Sequence, residues 1–232
     1  MTVPKGQRRV LLGPNGAGKS VLFSIIGGQQ PPTGGRILAF GRDITRLPRR
    51  RRAALGLART FQLNSLFPRL SVEENLFLGV QALDRGSRSL LRPASTHRRL
   101  VERTDELLRE WRLDDRRGAV VEELSYGEQR QIEMVLALAG RPRLLLLDEP
   151  TSGLTKSETD EVVAFLGSLG REITVLLVEH DMDVADRLAE WITVLSLGEV
   201  VADGPPGVVR ADPRVREVYL GVSAERSEGR DA

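Results

Sequence analysis

Apolar residues along this chain fall into two arrangements: short unbroken runs, and positions spaced for one face of a helix. Val10-Leu11-Leu12, Leu144-Leu145-Leu146-Leu147 and Ile173-Thr174-Val175-Leu176-Leu177-Val178 are apolar almost throughout. Each is too short for a buried helix and suits a strand of a parallel sheet covered on both faces. Arg36-Ile37-Leu38-Ala39-Phe40 predicts a further short strand ending at Gly41, after a break at Pro31-Pro32-Thr33-Gly34-Gly35. Val21 to Ile26 has a helical pattern, and the charged stretch from Ile44 to Leu57 is helical at best. From Phe61 to Leu124 helical spacing takes over, in Val72 to Leu78 and again from Leu100 to Trp111, with Ser71 and Glu74 placed as a capping box. Between those two segments, Asp84 to His97 is rich in Gly, Ser, Arg and Pro and reads as a loop. The pattern predicts an α/β fold with its core in residues 1–61 and 139–222, an inserted helical subdomain in 62–138, and a polar, disordered tail in 223–232.

Composition narrows the function classes. A chain of 232 residues buries a sizeable core and fits one α/β domain with a subdomain. Its 34 basic and 32 acidic residues nearly balance, so no nucleic-acid footprint is demanded. The run Arg49 to Arg52 fits a nucleic-acid or lipid-headgroup patch, but reads first as a solvated helix face. Cysteine is absent, which excludes a disulfide framework, a thiolate metal site and a cysteine nucleophile. The N-terminus has no signal core, and no run reaches the eighteen or so apolar residues of a membrane span. The sequence thus predicts a soluble protein, or one attached to a membrane only through another subunit.

The chemistry begins at Gly13-Pro14-Asn15-Gly16-Ala17-Gly18-Lys19-Ser20, which fits G-x-x-x-x-G-K-[ST] between the first apolar run and the first helical segment. A strand feeding a glycine-rich turn directs backbone N–H groups inward, and the next helix aims its positive end at the same point, so phosphate is favoured there. In that reading Lys19 reaches the β- and γ-phosphates and the Ser20 hydroxyl is a Mg²⁺ ligand. Lys5 and Lys156 are the other lysines in an arginine-rich chain. The run at Leu144 ends in Asp148-Glu149, and the carboxyl ends of parallel strands form the ligand crevice. Asp148 is therefore the expected Mg²⁺ holder, through water, and Glu149 the residue that orients or deprotonates an attacking water. The run at Ile173 ends in Glu179-His180-Asp181, so His180 emerges at the same crevice and can hydrogen-bond the γ-phosphate. His97 reads as a surface residue and Trp111 as packing.

Leu124-Ser125-Tyr126-Gly127-Glu128-Gln129 opens a helix running through Leu138, and again presents a hydroxyl, a glycine-opened backbone and a helix N-terminus to phosphate. This stretch resembles the signature motif of the ABC ATPases, and with the Gly13 loop, Asp148-Glu149 and His180 in order the resemblance extends over essentially the whole chain. It implies a P-loop NTPase (RecA-like) core with an inserted helical subdomain, and a dimer of ABC ATPase subunits, homo- or heterodimeric, sandwiching two ATP·Mg²⁺. Ser125, Gly127 and Gln129 would then bind the ATP held by the opposite subunit. Gln62, in Arg59-Thr60-Phe61-Gln62, matches the glutamine linking Mg²⁺ to the permease-coupling surface. Ser152-Gly153-Leu154-Thr155 matches a loop crossing the dimer interface, with Thr155 in place of the usual acidic residue, and Tyr126 replaces the commoner glycine. Arg59 to Gln62, Val178-Glu179-His180-Asp181-Met182-Asp183 and Val218-Tyr219-Leu220-Gly221 look like the ATPase subunits of branched-chain amino-acid uptake systems; urea or amide importers and some lipid exporters look similar. Transmembrane permease subunits, an indirect substrate-binding protein and a location on the cytoplasmic face of the membrane follow from the resemblance, with no nucleic-acid partner. A soluble, non-transport ABC ATPase is the competing class; it would carry coiled-coil insertions or tandem cassettes, which this sequence lacks. Similar ATPases also carry two strands and an adenine-stacking aromatic before the phosphate loop, so Met1 to Gly6 reads as the end of a missing region.

Overall fold

The computed structural model describes residues 1–60, 66–84 and 94–219, with residues 94–96 described by backbone alone. Among them, a six-stranded sheet has the order β4-β5-β6-β1-β7-β8. The strands are β1 (Arg8–Leu12), β4 (Leu57–Arg59), β5 (Leu144–Asp148), β6 (Thr174–Val178), β7 (Trp191–Ser196) and β8 (Glu199–Gly204). All pair in parallel except β8, which runs antiparallel to β7. A separate antiparallel pair joins β2 (Leu38–Ala39) to β3 (Arg42–Asp43).

The unbroken apolar runs are explained by the two faces of this sheet. Side chains alternate along a strand. Leu145 and Leu147 of β5, Val175 and Leu177 of β6, and Val10 and Leu12 of β1 enter one apolar cluster, while Leu146, Leu176, Val178 and Leu11 enter the other. The second cluster is covered by α1 (Lys19–Gly27) through Phe23. The first is covered by α5 (Tyr126–Leu138), α6 (Lys156–Ser168) and α7 (Met182–Leu188), and continues outward into α3 (Val72–Leu83) and α4 (Ala94–Glu110) through Leu76, Val80, Leu107 and Leu108. The remaining helices are α2 (Arg49–Ala54) and α8 (Pro206–Ala211), followed by helical residues 213–219.

Ser71 caps α3 with the reciprocal Ser71–Glu74 pair that its spacing predicts. Two features depart from expectation. Residues 94–97, placed in a loop by composition, begin α4, and His97 lies exposed on that helix with its ring 5.6 Å from Phe77. The Arg49 to Arg52 run is not uniformly solvated: Arg52 is buried and donates to the carbonyls of Ile25, Ile26, Leu47 and Thr45, so its cation closes the C-terminal end of α1. Trp111 packs on Phe165, ring centroids 4.8 Å apart, as a packing residue should.

Candidate active site

Strand register gathers the predicted crevice at one edge of the sheet. Leu11 of β1 is aligned with Val178 of β6, and Val178 with Asp148 of β5. Asp148 is therefore two strand spacings, roughly 10 Å, from the strand that enters the phosphate loop. The backbone continues the alignment past the strand ends: Glu149 N–H donates to Val178 O at 2.9 Å and Glu179 N–H to Leu11 O at 3.1 Å.

The loop from Gly13 to Ser20 turns sharply between β1 and α1. Gly13 has φ 148°, and a Cβ there would lie 2.1 Å from Leu195 O, so only glycine lets β7 pass this close. Gly18 is the left-handed cap of α1 at φ 98°. Gly198 N–H donates to Ala17 O at 3.1 Å, tying the loop to the β7–β8 turn. Pro14, Asn15 and Gly16 form the outer rim, with Asn15 and Gly16 exposed. The Lys19 ammonium folds back onto its own loop, donating to Gly13 O and, at 3.0 Å, to Pro14 O. Burial pushes its pKa down, and the charges of Glu149 and Asp148 oppose that shift, which brings both carboxylates into the electrostatic range of Lys19. Ser20 is exposed in the first turn of α1.

Asp148 is buried, and its Oδ2 accepts from Arg59 Nη2 at 2.9 Å. Its Oδ1 is buried with no hydrogen-bond partner, a lone pair left for something the protein itself does not supply. Glu149 follows at φ 47°, a left-handed backbone that turns the chain out of the strand. His180 is exposed, with Nδ1 4.0 Å from Glu179 Oε2. Glu179 is fully buried; desolvation pushes its carboxyl pKa up, and the Thr151 hydroxyl, donating at 2.9 Å, partly offsets this. Gln62 lies outside the described residues, as do Leu220 and Gly221.

Ser125, Gly127 and Gln129 lie elsewhere, at the start of α5, and no hydrogen bond among the described residues joins them to the Gly13 loop. Ser125 Oγ accepts from Glu128 N–H at 3.2 Å, and Gln129 Nε2 donates to Leu124 O at 3.0 Å. Gly127 N–H donates to Glu158 Oε1 at 3.0 Å. Glu158 also receives the amide and hydroxyl of Thr155; these, then the Gly127 amide and the Ser125 hydroxyl, pull its carboxyl pKa down.

Residue patterns alone did not reveal four participants. Arg59 neutralises Asp148 from β4; Arg130 of α5 donates to Pro150 O at 3.3 Å, linking the α5 turn to the Glu149 strand end; Glu158 bridges α5 and α6. Tyr219 is the fourth: burial raises its pKa while the nearby Gly13 backbone opposes the shift, which places the C-terminal helical residues beside the phosphate loop. A Thr-x-x-Glu spacing at Thr155 is the signal that could have pointed to Glu158.

Comparison with known proteins agrees with this geometry. The family profile described as ABC transporter matches residues 1–152, and that described as Branched-chain amino acid ATP-binding cassette transporter matches residues 199–225. Among similar proteins, the high-affinity branched-chain amino acid transport ATP-binding protein BraF of Pseudomonas aeruginosa is 36% identical over 218 residues, covering 91% of this chain and 86% of that one. LivG of Escherichia coli, of the same description, is 35% identical over the same coverage. The lipopolysaccharide export system ATP-binding protein LptB of Haemophilus influenzae is 33% identical over 222 residues, 95% of this chain and 88% of that one. An ABC transporter's ATP-binding cassette in its ADP conformation superposes with a TM-score of 0.82 at 27% identity, covering 95% of this chain and 90% of that chain. A dimeric cassette in a post-hydrolysis state, bound to ADP and Pi, gives 0.70 at 27% identity, covering 89% and 88%. With the phosphate loop, the paired strand-end carboxylates and the separate Ser125 turn on one α/β scaffold, the chain belongs to the ABC transporter family and is one of its ATP-hydrolysing subunits.

Proposed function

We propose that this subunit drives the import of branched-chain amino acids, working as one half of a dimer that holds two ATP·Mg²⁺ between the Gly13 loop of one subunit and the Ser125 turn of the other. The observation that carries the dimer is that the hydrogen bonds of Ser125, Gly127 and Gln129 among the described residues run to α5, α6 and Leu124 rather than to the Gly13 loop, and the likeness to a dimeric cassette supports it. In this reading the loop amides and Lys19 bind the β- and γ-phosphates, Glu149 orients or deprotonates the attacking water, and His180 contacts the γ-phosphate from the end of β6. Residues present fit a magnesium ion: Asp148 Oδ1 is buried and unpartnered, and the Ser20 hydroxyl opens α1. Among the described residues no three His, Cys, Asp or Glu side chains are grouped so as to hold a metal ion by themselves. That suits Mg²⁺, which is held by one or two protein oxygens with phosphate and water completing its shell. Ser20, Asp148 and Gln62 would hold it, and when bound it neutralises charge developing on the phosphate oxygens.

No helix among the described residues is long and apolar enough to cross a membrane. In this reading movement is passed to permease subunits, as the names of the transport-system relatives suggest, and Gln62 with the segment leading to Val72 is the proposed route, at the cytoplasmic face. Closure on ATP and opening after hydrolysis supply the motion. Branched-chain amino acids are favoured over lipid export by the profile match at residues 199–225 and by the names of the BraF and LivG relatives. Reconstitution with the permease subunits in vesicles tests the reading. ATP-dependent uptake of labelled leucine, lost with Lys19→Ala, is expected; ATP hydrolysis accompanied by transport of urea or lipid, with no leucine uptake, would overturn it.

A further inference from the structure

The Gly127 amide, which the dimer reading offers to a neighbour's phosphate, already has an anion on it. Glu158 Oε1 accepts that amide at 3.0 Å, while Oε2 accepts the Thr155 amide at 2.9 Å and its hydroxyl at 2.8 Å. One carboxylate thus accepts from the first turns of both α5 and α6, where each helix carries its partial positive charge. The contact is close: a Cβ on Gly127 would lie 2.8 Å from Glu158 Cγ and 2.9 Å from its Cβ. A carboxylate oxygen on a helix N-terminal amide occupies the place a phosphate oxygen takes.

We propose that Glu158 is an internal stand-in for phosphate, holding the Ser125 turn until nucleotide carried by a second ATPase subunit displaces it, and thereby setting the ATP concentration at which two subunits associate. The inference rests on the dimer reading above. One amide cannot serve two anions, and like charges a few ångströms apart repel, so phosphate entry requires the Glu158 side chain to leave Gly127. Because Glu158 also closes the cap at Thr155, its release loosens the start of α6 and the Ser152 to Thr155 loop preceding it. The exchange makes Glu158 a positioning residue, acting on the phosphate through the Gly127 amide.

Glu158→Gln separates this role from capping. Glutamine preserves side-chain length, and its one carbonyl oxygen can keep the Thr155 amide as in a capping box, but it carries no charge against phosphate and has no second acceptor for the Gly127 amide. The test measures the ATP concentration giving half-maximal dimer by analytical ultracentrifugation, in a Glu149→Gln background that holds ATP, with thermal melting of the nucleotide-free protein alongside. Glu149→Gln/Glu158→Gln is expected to melt slightly below the parent, having lost the Gly127 bond and the charge at the two helix starts, and to dimerise at an ATP concentration lower by about tenfold. An unchanged or raised midpoint would overturn the proposal. Should Glu158→Gln melt early, Glu158→Ala measured at a temperature where both proteins are folded decides in the same way: a lower midpoint supports the role and an unchanged one refutes it. If the Glu149→Gln parent forms no dimer at any ATP concentration, the dimer reading fails and this inference with it.

Discussion

Arg59→Met would expose what holds the buried carboxylate at the end of β5. Methionine keeps much of the side-chain length that packs on Phe23, whose ring lies 5.7 Å from the guanidinium, while removing the cation. Asp148 would then stand as a carboxylate only 3% exposed at its side chain, with Oδ1 already unpartnered and Oδ2 newly so. Removing one partner of a buried ion pair costs about 3–5 kcal/mol. Arg59 is 13% exposed and Lys19 still acts on Asp148 from the loop, so the expected loss is smaller, about 2–3 kcal/mol. Urea unfolding followed by circular dichroism, without nucleotide or metal, gives the value. Adding Asp148→Asn removes the stranded charge, and the double variant should cost less than the sum of the singles by at least about 1 kcal/mol. Mg²⁺·ATP should shrink the Arg59→Met penalty, because a bound cation replaces the lost one. A penalty under about 0.5 kcal/mol, or strictly additive singles, would refute the claim that Arg59 compensates Asp148.

Gly127→Asp should leave ATP affinity of the isolated subunit within about twofold, since the Gly13 loop is untouched, while ATPase activity of the assembled protein falls by at least about a hundredfold. Lost affinity at monomeric concentrations, measured by fluorescent-nucleotide binding, would contradict the assignment of Gly127 to a neighbour's nucleotide. Glu179→Gln probes the buried carboxyl whose pKa burial raises above its ordinary 4.5. A group with a raised folded pKa contributes its stability below the unfolded value and loses it as pH rises through the folded one, so the wild type should weaken relative to Glu179→Gln on going from acid toward neutral pH. Urea midpoints that do not diverge over that range would show that Glu179 is not the group responsible.

The parts of this fold legible in the sequence were those whose surroundings are uniform. Leu144 to Leu147 face two apolar clusters by turns, so every position must be apolar and the strand announces itself. Strand β4 did not: Leu57-Ala58-Arg59 is a three-residue edge strand entered from an arginine-rich helix, and Arg59 is polar because it serves Asp148. β8 was hidden for a related reason, with exposed and buried positions mixed along Glu199–Gly204. Arg52 shows the limit of charge patterning, since four adjacent arginines look equivalent until helix geometry turns one of them onto the carbonyls ending α1. The phosphate loop and the strand-end acids were visible because their chemistry lies within one contiguous stretch each. Glu158 was not, because its decisive hydrogen bond joins the starts of two helices distant in the chain.

In the proposed dimer two subunits enclose ATP between the Gly13 loop of one and the Ser125 turn of the other, with Glu149 acting on the water. Sedimentation of the Glu149→Gln protein with and without Mg²⁺·ATP measures that directly. Dimer with ATP, monomer with ADP, and hydrolysis slowed by at least about a hundredfold are predicted. A protein that stays monomeric at saturating ATP while turning it over at the wild-type rate would contradict the account.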